Sequence, residues 1–201
     1  AVPLALTGCA TANMPTTTAS DDWPHVAQGP LEQRYSMLDQ VNPDTIDRLA
    51  LAWYADMDTE RVQEATPIVV GGKLYVSTAW SKVKAYDAAT GEALWSYDPR
   101  VPAQTAKDAC CGEVNRGVAY HDGKIFVGAL DGRLIALDAD TGVEVWSVQT
   151  TDPAQPYTIT GAPRVVNGKV VIGNGGAEYS VRGYVTAYDA DTGAQEWRWF
   201  T

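Results

Sequence analysis

Basic residues, cysteines and histidines are all scarce in this 201-residue chain, and each scarcity removes a class of function. Fifteen Lys and Arg stand against 25 Asp and Glu, a net charge of −10. That balance argues against a phosphate backbone or an anionic membrane surface as partner, so no nucleic acid is expected. A cationic partner would be steered toward the chain. Three cysteines and two histidines, with no C-x-x-C spacing and no His close to a Cys, leave no zinc-finger pattern. No run approaches the ~20 apolar residues that cross a bilayer, so no transmembrane segment is expected.

What is present suffices for a core: 45% of positions are hydrophobic and 20% charged, the profile of one large domain or part of one. Residues 1–12, "AVPLALTGCATA", resemble the tail of an export signal without its basic start, so the chain is expected to be truncated at its front. Leu6-Thr7-Gly8-Cys9 resembles a bacterial lipobox, which would place a lipid anchor on Cys9. Ala10-Thr11-Ala12 resembles an ordinary cleavage site, the other reading. Both lead to a periplasmic location, membrane-anchored in the first case.

Self-similarity is the strongest signal. "AYDAATGEALW" from Ala85, "ALDADTGVEVW" from Ala136 and "AYDADTGAQEW" from Ala187 share A-x-D-x-x-T-G-x-x-x-W, and Trp95, Trp146 and Trp197 are spaced by 51 residues. Upstream of each lies a Gly turn entering an apolar strand: "GGKLYVS", "DGKIFVG" and "NGKVVIG". No helix-period stripe separates turn from tryptophan, so each unit reads as four short strands. Radial repetition of such units is a β-propeller. The expectation is an all-β fold with tryptophan-docking blades near 64–97, 116–149 and 161–199. Each indole N–H is expected to bond near the preceding turn.

Three blades do not close a ring, so the chain is expected to be a piece of a longer protein. Residues 13–48 read as a linker with a short helix. Residues 49–63, beginning "LALAWYADM", are expected to supply a strand to the closing blade.

Three insertions interrupt the repeat, and in a propeller such loops line the channel mouth, where function collects. They are "ERVQEATPIV", "DACCGEVNRG" and the stretch from Tyr157 to Gly183 containing "GNGGAE". The adjacent Cys110 and Cys111 are read as bonded to each other in an oxidising compartment, with two free thiols as the alternative. Such a ring strains the peptide between them. The glycines before Glu178 allow another group to approach the backbone, and a carboxylate buried in that apolar turn would need a cation.

The set "QEATP", "CCGEVNRG", "TITGAP" and "GNGGAEYSVRG", interleaved with the D-x-x-T-G-x-x-x-W repeats, resembles the N-terminal part of the pyrroloquinoline quinone-dependent alcohol dehydrogenases. The resemblance implies an eight-bladed propeller holding the planar quinone (PQQ) on its axis beside a divalent metal, usually Ca²⁺, with a lanthanide as the other option. It implies that Cys110 and Cys111 form a vicinal disulfide covering one face of the cofactor, and that Glu64, Arg116 and Thr160 bond it in its plane. Gly175, Gly176 and Ala177 would contact its edge, and Glu178 would ligate the metal. Glu113, His121, Tyr179 and Arg182 are read as supporting or solvated.

The implied activity is oxidation of a primary alcohol to an aldehyde, with electrons passed to a cytochrome c. The general base is expected in blades beyond Thr201, so no catalytic residue is assigned in this chain. The alternative is a non-catalytic lipoprotein scaffold of the outer-membrane assembly type; a sugar-oxidising quinoprotein ranks third.

Overall fold

A computed structural model describes residues 22–29 and 31–201. Among the described residues, twelve strands form three antiparallel sheets, each a meander in chain order. Blade one comprises β1 (Ile68–Val70), β2 (Lys73–Ser77), β3 (Val83–Asp87) and β4 (Ala93–Tyr97). Blade two comprises β5 (Ala119–His121), β6 (Lys124–Gly128), β7 (Arg133–Asp138) and β8 (Glu144–Gln149). Blade three comprises β9 (Arg164–Val166), β10 (Lys169–Gly173), β11 (Tyr184–Asp189) and β12 (Gln195–Phe200). The three blades follow the repeat, as the propeller expectation required.

The alternation of side chains along a strand explains why the middle blade reads as nearly continuous apolar sequence. On β6 and β7, Ile125, Val127, Ile135 and Leu137 face blade one and join Ile68, Tyr75 and Val83 in one core cluster. Phe126, Leu134 and Ala136 face blade three and join Ile159, Val170 and Ile172 in a second. Both faces of the sheet are buried, so both positions of the period are apolar.

Each D-x-x-T-G segment is a tight turn between the third and fourth strands. Asp138 Oδ1 accepts bonds from the backbone N–H of Asp140 and Thr141 and from the Thr141 hydroxyl. Asp87 and Asp189 repeat the arrangement with Thr90 and Thr192. The turn glycine serves the neighbouring blade: a Cβ on Gly142 (φ +71°) would lie 2.6 Å from the Trp95 ring.

The tryptophans do not bond to the preceding turn, as the repeat alone suggested. Each reaches the following unit. Trp95 Nε1 donates to Ala139 O at 3.0 Å and Trp146 Nε1 to Ala190 O at 3.2 Å. The reason is that the outer strand lies at the blade's rim, where the next blade's turn is nearer than its own. Lysines repeat the link: Lys73 pairs with Asp140 and Lys124 with Asp191.

Residues 49–63 form no strand, because a strand needs a hydrogen-bonding neighbour and none lies beside them among the described residues. Trp53 nevertheless docks on blade one as the repeat tryptophans dock on blades two and three, donating to Ala88 O at 3.0 Å and stacking on Tyr86. In the 13–48 region the described helical structure is one 3₁₀ turn, Ile46–Arg48. The lipobox and Cys9 lie outside the described residues.

In a four-stranded meander the second turn and the blade-to-blade connection share one end. That end gathers the 78–82, 129–132 and 174–183 turns with connections 98–118 and 150–163, which carry most of the sequence-selected site residues.

Candidate functional site

The residues expected to meet a flat cofactor come together in two adjoining groups. In the first, Arg116 is the hub. Its Nη2 lies 2.9 Å from Glu64 Oε2, and its Nη1 donates to Thr160 Oγ1. Its backbone N–H donates to Thr160 O at 2.9 Å. Glu64 precedes β1, Arg116 precedes β5 and Thr160 precedes β9, so three blade entries converge on one guanidinium. The Arg116 side chain keeps 42% of its surface exposed, leaving part of its donor fork open to a ligand oxyanion.

Asn115, which sequence reasoning passed over, holds Arg116 in place. It is buried; its Oδ1 accepts from Ser77 Oγ at 2.6 Å and from Gly117 N–H, and its Nδ2 donates to Gly128 O at 2.8 Å. One amide thus ties β2, the cysteine-bearing connection and β6 together. Its position inside "CCGEVNRG" was the only available signal.

In the second group, the Cys110 and Cys111 sulfurs lie 2.7 Å apart. Both side chains are exposed, and the two sulfurs face each other directly. The Glu178 carboxylate lies near Cys110. The Cys110 thiol is pushed up to about 11, first by its bond to Cys111 and then by Glu178, since both disfavour a second negative charge.

Glu178 differs from the expectation in its burial. It is exposed rather than buried, on the 3₁₀ turn Ala177–Tyr179, whose Tyr179 hydroxyl donates to Lys107 O at 3.5 Å. Gly176 (φ +111°) admits a close neighbour, but the neighbour is the chain itself: a Cβ there would lie 2.4 Å from Pro156 O. Gly175 pairs with Thr158, donating to its carbonyl at 2.7 Å. The glycines therefore fasten the 174–183 turn to the 156–158 connection. Ala177 is exposed beside them.

A cavity of about 410 Å³ is lined by Thr160, Gly161, Ala162, Arg164, Asn174 and Gly175, among others. It joins the Arg116 group to the glycine turn. Among the described residues no cluster of three or more His, Cys, Asp or Glu forms a ready metal centre.

Residues 23–201 match the model of a family described as "PQQ: Glucose/ethanol/alcohol dehydrogenase, beta-propeller domain". The chain belongs to this family. It is 54% identical over 188 residues to a 1-butanol dehydrogenase (cytochrome c) of Thauera butanivorans, covering 92% of this chain and 27% of that one. The solved quinohemoprotein alcohol dehydrogenase of Comamonas testosteroni superimposes with a TM-score of 0.88 at 54% identity, over 92% of this chain and 28% of that one. A europium-containing methanol dehydrogenase gives 0.85 at 42% identity, over 90% and 32%. The chain thus spans about a quarter of the length of the curated PQQ-family relatives it matches.

Proposed function

We propose that the whole protein is a periplasmic quinoprotein that oxidises primary alcohols to aldehydes, and that this chain supplies one side of its PQQ site. The observation that carries the reading is the convergence of Glu64 and Thr160 on Arg116, which sits in the same connection as Cys110 and Cys111. The donor set fits the group: a half-exposed guanidinium fork suits a cofactor carboxylate, and a hydroxyl and a carboxylate flank it. The leader-like first residues support export, and Cys9 is the proposed anchor point.

Arg116 would hold and orient the cofactor through paired N–H donors, with Thr160 and Glu64 fixing the guanidinium plane. The Cys110–Cys111 pair would cover one face and exclude water from it. In an oxidising compartment the two thiols would join as a disulfide by exchange with an oxidised dithiol, which takes up the two electrons and two protons. The backbone of Gly175, Gly176 and Ala177 would border the edge. Glu178, exposed and oxygen-bearing, would act as one ligand of a hard cation, Ca²⁺ or a lanthanide, the remaining donors coming from outside this chain. When bound, the quinone supplies a two-electron acceptor for hydride from the alcohol carbon, and the cation polarises its carbonyl. No residue of this chain is assigned as the general base. Electrons would pass to a cytochrome c, which the named cytochrome linkage of the Thauera relative supports and which a net charge of −10 accommodates.

The test is reconstitution of the full-length protein with PQQ and Ca²⁺, followed by dye reduction with ethanol. Glu178→Ala should abolish the metal-dependent activity; undiminished activity would overturn the metal assignment. Intact mass without reductant should fall by two hydrogens relative to the reduced protein if the cysteine pair is linked.

A further inference from the structure

Two short segments of opposite charge order lie alongside each other at the site. Residues 61–64 read Arg-Val-Gln-Glu, and residues 113–116 read Glu-Val-Asn-Arg. They meet in parallel register through two ion pairs of reversed polarity: Arg61 Nη1 to Glu113 Oε2 at 3.7 Å, and Glu64 Oε2 to Arg116 Nη2 at 2.9 Å. The second pair belongs to the candidate quinone site; the first does not.

The first pair is unequal in environment. The Glu113 side chain is only 11% exposed, whereas Arg61 is 63% exposed. A carboxylate so enclosed needs a counter-charge, and Arg61 is the ion-pair partner it has among the described residues. Glu113 is itself pinned, because its carbonyl accepts the Trp80 N–H at 2.8 Å, with Trp80 held at φ 63°. The 61–64 segment, by contrast, belongs to no helix or strand. A fixed, enclosed anion therefore faces an irregular strand of chain, and Arg61 is the attachment point three residues from Glu64.

We propose that Arg61 and Glu113 are positioning residues: their ion pair sets the register of the 61–64 segment so that Glu64 meets Arg116. The reversed polarity forbids the obvious slips, since displacing either segment to bring 61 against 116 or 64 against 113 places like charges together. This role rests on the quinone-site reading for its consequence, not for its geometry.

The experiment uses the full-length protein in four forms: wild type, Arg61→Glu, Glu113→Arg and the double swap. A fifth, Glu113→Gln, covers the case in which a buried arginine does not fold. Hydrogen exchange of the 58–66 amides and titration of apo-protein with PQQ are the readouts. Each single variant, Glu113→Gln included, should speed exchange in 58–66 and weaken PQQ about fivefold. The swap re-forms the 61–113 pair but also lets 61 meet 116 and 64 meet 113, so it should restore exchange protection and recover PQQ affinity only in part. The proposal is overturned if the single variants match wild type, if Glu113→Gln leaves exchange and PQQ affinity unchanged, or if a folded double swap exchanges as fast as the singles. Wild-type protein that shows the exchange pattern but binds no PQQ would refute the quinone site and leave the register device standing.

Discussion

Trp95 of blade one donates its indole N–H to the Ala139 carbonyl in the turn of blade two, 44 residues away, at 3.0 Å. Trp146 and Ala190 repeat the link one blade on, and Trp53 with Ala88 one blade before. Trp197, 45% exposed, has no such partner among the described residues.

This difference sets the first expectation. In this chain Trp95→Ala removes an indole bond, a ring contact with Tyr75 and the filling over Gly142, so it should cost about 3 kcal/mol. Trp197→Ala should stay within about 0.5 kcal/mol. Urea unfolding of the two variants decides it; equal losses would show that the docking is not the source of the stability.

Two turn glycines with nearly the same φ separate conformation from crowding. Gly168→Ala, at φ +70° with open space around it, should cost about 1 kcal/mol for left-handed backbone alone. Gly142→Ala, at φ +71°, adds a collision with Trp95 at 2.6 Å and should cost at least about 2 kcal/mol more. Thermal melts of both variants provide the comparison.

Acid should loosen the turns. Asp87, Asp138 and Asp189 are held below the usual 3.8, first by the Thr90, Thr141 and Thr192 hydroxyls and then by backbone N–H groups. A carboxyl lowered in the folded state contributes stability that is complete above its unfolded value. That stability is lost as the pH falls through the lower folded value. A variant with Asn at all three positions should therefore lose melting temperature less steeply than wild type as the pH falls through about 4 to 2. Parallel curves would show that the aspartates do not carry the acid sensitivity.

Arg116→Lys keeps the charge but removes the fork that reaches Glu64 and Thr160 together. In the full-length protein it should weaken PQQ binding about tenfold or more, read by titration of the apo-form. Affinity equal to wild type would place the cofactor carboxylate elsewhere.

The blades were legible from one strand pattern and one turn motif. D-x-x-T-G forces its own turn because the Asp and Thr bonds are local, and alternating or continuous apolar runs announce half-buried or fully buried strands. The reach of Trp95 to Ala139 was not legible, because a side chain's partner in another sheet depends on how sheets stack. The exposure of Glu178 was not legible for the same reason. A short apolar turn reads as interior, yet Ala177, Glu178 and Tyr179 are all exposed.

By itself, then, the chain's order of residues determined the repeat, its turns and the types of side chain at the channel end, since those follow from hydrogen bonds and periodicity within a few residues. Only the tertiary structure decided that Glu64, Arg116 and Thr160 meet, that Asn115 anchors them and that Arg-Val-Gln-Glu lies against Glu-Val-Asn-Arg. The contacts of Arg116 with Glu64 and Thr160, and of Arg61 with Glu113, join residues 44 to 52 apart, and it is the packing of one blade on the next that brings them within reach.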